Sequence, residues 1–174
     1  IDRLIFLLLF AVVLQSCGDN QRAKNANDKT LVDDQGLDFI KTANIAGLTE
    51  VDLSNFAVNI SKNPRVVAFA RMMIADHTQA GKELKNLAKQ KLVDIPDTLT
   101  IADQKKLGKM AMLYGAPYDK AYMQMMVDDH VKAVELFTET TQNKNRAVQD
   151  FANKILPTLK MHLDSAKAIY SSLK

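Results

Sequence analysis

Apolar positions recur at spacings of three and four residues along four long segments of the chain, which is the pattern of amphipathic helices. The predicted elements are four long helices and one short helix, which cover residues 34–61, 64–92, 117–142, 145–173 and, for the short one, 101–112. Ala, Leu, Met, Lys and Gln are plentiful, and these residues favour helix over sheet. The predicted fold class is therefore all-α, an antiparallel four-helix bundle.

The second and third long helices are joined by a connection of about twenty residues that contains the short helix. Such a connection is long for a bundle and is long enough to run its full length as a crossover. With 174 residues, the chain has room for one domain with a substantial core. We place this bundle domain at residues 34–174.

A nine-residue pattern occurs twice. Residues 72–80 read Met-Met-Ile-Ala-Asp-His-Thr-Gln-Ala, and residues 125–133 read Met-Met-Val-Asp-Asp-His-Val-Lys-Ala. The echo indicates two helices of the same kind, each with a histidine on its inward seam. His162, the third histidine of the chain, lies on the inward seam of the fourth long helix.

Four polar residues fall near the middle of the predicted bundle. Glu50 and His77 lie roughly 16 to 21 Å from the first helix break, and His130 and His162 roughly 20 to 27 Å from the last one, at about 1.5 Å per residue. Four polar side chains at one level, one on each helix, is the arrangement by which bundles build metal sites. The sequence predicts that these four residues are the metal ligands.

This ligand set suits zinc, or iron or manganese with added water. Met73, Met126 and Met161, close to the histidines, also make copper a candidate, although methionines at helical spacing are more often core filling. Asp76 and Asp129 precede their histidines and point about 100 degrees away, where either could accept a hydrogen bond from a ligand on a neighbouring helix.

Two alternatives oppose a metal site. The three histidines could be neutral packing residues, each with one nitrogen bonded to a hydroxyl or a carbonyl. In addition, the first helix has a second apolar seam through Ile40, Leu48, Val51 and Val58, which would leave Glu50 at its edge and partly solvated.

The N-terminal part of the chain has the character of a targeting segment. Residues 4–14 form an apolar run of the length of a signal-peptide core, too short to span a bilayer as a stable helix. Leu-Gln-Ser-Cys at 14–17 resembles the bacterial lipobox, in which the cysteine becomes the acylated mature N-terminus. We therefore expect a signal peptide at 1–16 and lipidation of Cys17. Residues 17–33, which are rich in polar residues, are expected to form a flexible tether.

Charge and composition exclude several functions. The formal charge of +3 is spread among acids, with no basic stripe for nucleic acid, and the lone Cys17 allows no intrachain disulfide. No Ser-His-Asp order, glycine-rich phosphate loop or reactive cysteine indicates catalysis, so an enzyme is not predicted beyond the weaker option of a water-bearing metal.

Several motifs together resemble an uncharacterised bacterial family of ferritin-like four-helix domains, whose members are often labelled predicted outer membrane proteins. They are Leu-Thr-Glu-Val-Asp-Leu at 48–53, Asn-Pro at 63–64, Met-Ile-Ala-Asp-His at 73–77, Met-Val-Asp-Asp-His at 126–130 and Leu-Pro-Thr-Leu at 156–159. The resemblance implies a ferritin-like bundle outside the cytoplasm and no established activity. The Glu-x-x-His pairs of ferritin-like di-iron enzymes are missing here, which argues against ferroxidase or oxygenase chemistry.

Two functions remain open. One is a lipid-anchored envelope protein, delivered to the outer membrane because Gly18 rather than Asp follows Cys17, that binds a metal ion or small ligand at mid-bundle. The other is a structural or stress-related envelope protein in which the histidines are core packing. The sequence leaves the membrane face and the oligomeric state open.

Overall fold

The structure, a computed structural model, describes residues 29–110 and 112–173, and all regular secondary structure in those residues is helical. The predicted signal peptide and Cys17 lie outside the described residues. The helices are α1 Asp34–Ile60, α2 Pro64–Gln90, α3 Ile101–Met110, α4 Gly115–Thr140 and α5 Arg146–Ser172. The predicted all-α fold is confirmed, with the short helix in the long connection.

Local capping chemistry fixes where several helices begin. The Asp33 side chain accepts a hydrogen bond of 2.7 Å from the Gly36 N–H at the start of α1. Asn63 caps α2, and Pro64 follows in a position where no N–H is needed. At α3, the Thr100 hydroxyl oxygen accepts from the Asp103 N–H at 3.2 Å, which is the backbone contact of a capping box.

Two apolar clusters define the direction of each helix. The first core cluster joins the end of α1 and of α5 to the start of α2 and of α4, and it includes Leu53, Phe69, Tyr122 and Ile169. The second core cluster joins the opposite helix ends and includes Ile40, Leu87, Phe137 and Val148. Consequently α1 runs parallel to α5 and α2 runs parallel to α4, while neighbouring helices are antiparallel.

The long connection crosses the bundle from one cluster to the other. Val93, just after α2, is buried in the second core cluster, and Met110, at the end of α3, is buried in the first. α1 packs mainly on α2 and α4 mainly on α5, whereas the α1–α4 and α2–α5 interfaces are smaller. This is the ferritin-like arrangement of two antiparallel hairpins joined by a crossover.

The bundle domain begins earlier than predicted. Residues 30–33 were expected to belong to the tether, but Thr30 and Val32 are buried, and Val32 packs in the second core cluster. The Leu31 N–H donates to the Lys91 carbonyl at 2.9 Å, and its own carbonyl accepts from Asn145 at 2.9 Å. The apolar pair Leu31-Val32 was too short to stand out within a polar segment, yet it closes this end of the bundle.

Leu92, two residues after the end of α2, has a strained backbone conformation. Leu92 has φ 56°, a left-handed conformation that suits glycine, and its side chain is 55% exposed. Leu92→Gly should therefore raise the free energy of unfolding by about 0.5–1 kcal/mol, or roughly 1–4 °C in Tm, measured by thermal denaturation. Gly115→Ala, at φ 60°, should have the opposite effect. A destabilised Leu92→Gly protein would contradict the assignment of strain.

Candidate metal centre

A layer of buried polar side chains separates the two core clusters. It consists of Glu50 on α1, His77 on α2, His130 on α4 and His162 on α5, with exposures of 3%, 9%, 0% and 0%. The structure thus brings together all four residues that the sequence singled out. The alternative in which Glu50 is partly solvated does not fit a side chain so deeply buried.

The parallel course of α2 and α4 explains why the two copies of the echo meet. His77 lies 13 residues after Pro64 and His130 lies 15 residues after Gly115. Both helices start at the first core cluster, so these histidines stand roughly 20 to 23 Å along the bundle, at about the same level. Repeating one inward pattern on two parallel helices therefore places two imidazoles in the same layer.

The three imidazoles form a nearly regular triangle. The ring centroids of His77 and His130 are 5.6 Å apart, those of His77 and His162 are 5.3 Å apart, and those of His130 and His162 are 5.4 Å apart. Each ring offers one nitrogen that lies within 4.8 Å of the nitrogens offered by the other two. One ion could therefore contact all three rings after small side-chain movements.

One nitrogen of each ring is engaged by an acceptor. His77 Nδ1 lies 2.9 Å from Glu50 Oε2, and His162 Nε2 lies 2.9 Å from Asp76 Oδ2. His130 Nδ1 donates to the Met126 carbonyl oxygen at 2.9 Å. A carbonyl oxygen only accepts, so in the neutral ring the proton of His130 sits on Nδ1 and Nε2 carries a lone pair. These contacts hold the rings in place, as the outer contacts of metal-bound histidines do.

The other nitrogen of each ring has no partner. His77 Nε2, His130 Nε2 and His162 Nδ1 are buried and make no hydrogen bond to any residue that the structure describes. A buried polar atom without a partner costs about 1–3 kcal/mol, so one partner shared by these three neighbouring rings would be stabilising.

The sequence predicts Glu50 as the fourth metal ligand, but its carboxylate contacts ring nitrogens other than the ones that lack a partner. Its carboxylate contacts His77 Nδ1 through Oε2 and approaches His130 Nδ1 to 3.5 Å through Oε1. It therefore lies against the engaged nitrogens of two rings. The spacing of residues along a helix gives the level and the face of a side chain, and it does not tell which ring nitrogen a neighbour will occupy.

Asp76 supports a proposed ligand on another helix, a role that the sequence left open between Asp76 and Asp129. The expectation that one of the echoed aspartates serves a neighbouring helix is confirmed by its contact with His162 on α5. Met126, by contrast, contributes through its backbone carbonyl, which no side-chain pattern could reveal. Met73 and Met126 are buried in the first core cluster, and Met161 is 44% exposed. That placement fits core filling for the first two methionines.

Burial favours the neutral form of His130 and of His162 beside the Glu50 carboxylate. Burial raises the pKa of Glu50. The hydrogen bond from His77 and the electrostatic effect of the three imidazoles lower this pKa by more than burial raises it, so the net shift is downward. Burial lowers the pKa of His130 and of His162, although Glu50 and Asp76 respectively oppose this. At neutral pH, His130 and His162 therefore keep the lone pair that a metal ligand needs.

Among the described residues, no helix combines the length and apolar character needed to cross a bilayer.

No curated protein matches the chain. Among solved structures, it resembles a DUF305 fragment from Deinococcus radiodurans, with a TM-score of 0.71 and 11% identity over 82% of this chain and 99% of that one. It also resembles a DUF305 protein from Streptomyces coelicolor, provisionally described as secreted, with a TM-score of 0.65 and 12% identity over 79% and 92%.

At such low identity these two likenesses support the fold alone, and the fold is the same helical bundle. The sequence itself matches a family model whose description is "Domain of unknown function (DUF4142)", over residues 20–169. That span includes all five helices up to Ile169 and every residue of the polar layer. The chain therefore belongs to the DUF4142 family.

Proposed function

We propose that this domain binds one divalent metal ion at mid-bundle through His77, His130 and His162. The observation that carries the proposal is that three converging, buried rings each keep one nitrogen without a partner. In a tetrahedral zinc site with bonds of about 2.0–2.1 Å, ligand nitrogens are about 3.3 Å apart. Movements of an ångström or so would draw nitrogens within 4.8 Å of one another onto one ion.

Three imidazoles without a thiolate suit zinc first, with iron, manganese and copper as further candidates. Three protein ligands leave at least one coordination position open, as in zinc sites that bind a water molecule or another small ligand. Glu50 then orients His77 and supplies a negative charge beside the cation, and Asp76 orients His162. This assignment moves Glu50 from the predicted ligand set to the groups that support it.

The competing function is a structural or stress-related envelope protein whose histidines only pack. That reading leaves three buried nitrogens unpaired, at a cost of about 1–3 kcal/mol each. The contacts with Glu50 and Asp76 do not explain why the three rings converge, because either carboxylate would bind an isolated histidine equally well. The metal function is therefore the better account of the polar layer.

We also propose that the domain is attached to the cell envelope through a lipid on Cys17, as an outer membrane lipoprotein. The apolar run at 4–14 and the Leu-Gln-Ser-Cys sequence support this. The family match begins at residue 20, just after the proposed anchor. The structurally similar Streptomyces protein is provisionally described as secreted, which fits a location outside the cytoplasm.

The metal site predicts a metal-dependent stability. Zinc at a hundred times its Kd should stabilise the protein by about 2.7 kcal/mol, or roughly 5–10 °C in Tm, with one ion bound per chain by elemental analysis. His130→Ala should remove most of this gain. Asp76→Asn should weaken zinc binding about 10–100-fold, because it releases His162.

Asp128→Asn is the matched control, since Asp128 is exposed and bonds only to Gln124 in the described structure. It should leave zinc affinity unchanged. A wild-type protein that elutes free of metal and shows no shift in Tm with zinc, iron, manganese or copper would favour the packing function instead.

The lowered pKa values predict how the metal-free protein responds to acid. The unfolded chain takes up protons on His130 and His162 near pH 6.5, where the folded chain does not, so stability should fall as pH drops below about 6.5. Glu50 adds a loss at lower pH, as its lowered folded pKa is crossed. Urea unfolding in a chelator between pH 7.5 and 5 tests this, and a midpoint that rises toward pH 5 would contradict it.

The lipid anchor predicts that processing depends on one side chain. Cys17→Ser should leave the precursor uncleaved or release the protein from the membrane fraction, because only a thiol can form the thioether to the lipid. Fractionation and intact mass of the expressed protein measure this. Ser16→Ala, which keeps a small residue before the cysteine, is the control, and a Cys17→Ser protein that matures and fractionates like wild type would reject the anchor.

A further inference from the structure

A cavity of about 780 Å³ lies between the histidine layer and the second core cluster. All four long helices contribute to its walls. Its apolar lining includes Ala43, Leu84, Ala133, Phe137, Phe151 and Leu159. Small-molecule sites in proteins typically have volumes of about 300–1,000 Å³ and mostly apolar walls, so the cavity has the size and character of such a site.

The deep end of the cavity is the polar layer. His77, His162, Glu50 and Asp76 all line it, and two of the partnerless nitrogens, His77 Nε2 and His162 Nδ1, belong to these lining residues. Glu50 and both histidines are at least nine-tenths buried. A metal ion held by the rings is therefore within reach of a molecule that occupies the cavity.

Most of the charged residues that line the cavity pair with an opposite charge. Three ion pairs involve lining residues, namely Lys85 with Asp97, Lys154 with Glu83 and Lys132 with Asp129. A mouth built of such pairs has no strong preference for a polyphosphate or a polycation. Apolar area and the chemistry at the deep end must therefore select the ligand.

Charge balance at the deep end selects the head group. A divalent ion brings two positive charges, and Glu50, the fully buried carboxylate of the layer, brings one negative charge. Asp76 bonds to His162 and is 39% exposed in its side chain, so its charge is more strongly solvated than that of Glu50. Part of the positive charge of the ion is left to be neutralised in a largely apolar setting, which favours a monoanionic ligand over a neutral one.

We propose that the cavity binds a small apolar molecule with one monoanionic, metal-binding head group, such as a medium-chain carboxylate, with that head group on the open coordination position of the metal. The proposal rests on the metal site proposed above. The acyl chain lies along the apolar walls toward the second core cluster. The ligand is thus selected by its length and its head group together.

Two glycines in the helices make a sharp test possible. Gly47 on α1 and Gly81 on α2 both line the cavity, and a Cβ at either position would meet no atom within 4 Å. The Cβ of a leucine therefore meets no atom at either position, leucine favours the helix more than glycine does, and its larger side chain adds bulk at the lining of the cavity. Gly108 on α3 has equally open surroundings but does not line this cavity, so Gly108→Leu is a matched control.

The experiment is calorimetric titration of zinc-loaded protein with decanoate, with acetate as the probe for the head group alone. Decanoate should bind at least tenfold more tightly than acetate, and chelation of the zinc should weaken it at least tenfold. Gly47→Leu and Gly81→Leu should each lower the affinity for decanoate tenfold or more while one zinc ion stays bound. Gly108→Leu should bind decanoate as wild type does, and a loss in at least one cavity variant with this control unchanged supports the proposal.

The outcomes separate the two proposals. If one zinc ion binds but decanoate binds no more tightly than acetate, the cavity proposal is overturned and the metal site stands. The cavity proposal is also overturned, and the metal site stands, if neither cavity variant changes the affinity for decanoate, if Gly108→Leu lowers that affinity as much as they do, or if removal of zinc does not change it. A protein that binds no divalent metal overturns both proposals.

Discussion

The contact between the Glu50 carboxylate and His77 Nδ1, at 2.9 Å, is the interaction on which the rest of the bundle depends. A carboxylate with 3% exposure would be strongly unfavourable without it, because little water reaches the charge. The apolar seams above and below could slide past each other by one turn, about 5.4 Å, and still pack. Such a slide would separate Glu50 from both His77 and His130. The polar layer therefore sets the register of α1 against α2 and α4, a role for which buried polar groups are well attested.

The proposed metal site depends on a break in the symmetry of the same layer at one position. α1 and α5 are parallel, as are α2 and α4, so the helices are related in diagonal pairs about the bundle axis. The echo places His77 and His130 at one level on one diagonal, and the other diagonal places Glu50 opposite His162. A fourth histidine in place of Glu50 would have given four neutral rings. The carboxylate instead supplies the negative charge that a buried divalent ion requires.

Helical periodicity predicted the five helices to within about two residues at most ends, and the capping residues Asp33, Asn63 and Thr100 marked the starts of α1, α2 and α3. Helix length and period also placed the four polar residues at one level. Ring orientation could not be predicted, since it depends on acceptors from other helices, such as Asp76, and from the backbone, such as Met126. The cavity was equally hidden, because a hollow depends on how small residues on several helices face one another.

The two halves of the bundle are packed in different ways, and this difference decides where a ligand can go. On the side of the first core cluster, Met73, Met126 and Tyr122 are fully buried against the histidine layer. On the other side, the lining residues next to the layer include Gly47 and Ala133, which leave space that large side chains would occupy. A metal ion bound in the layer as proposed would be closed off by a dense core on one side and would face a hollow on the other. Packing would then direct its open coordination position toward the cavity.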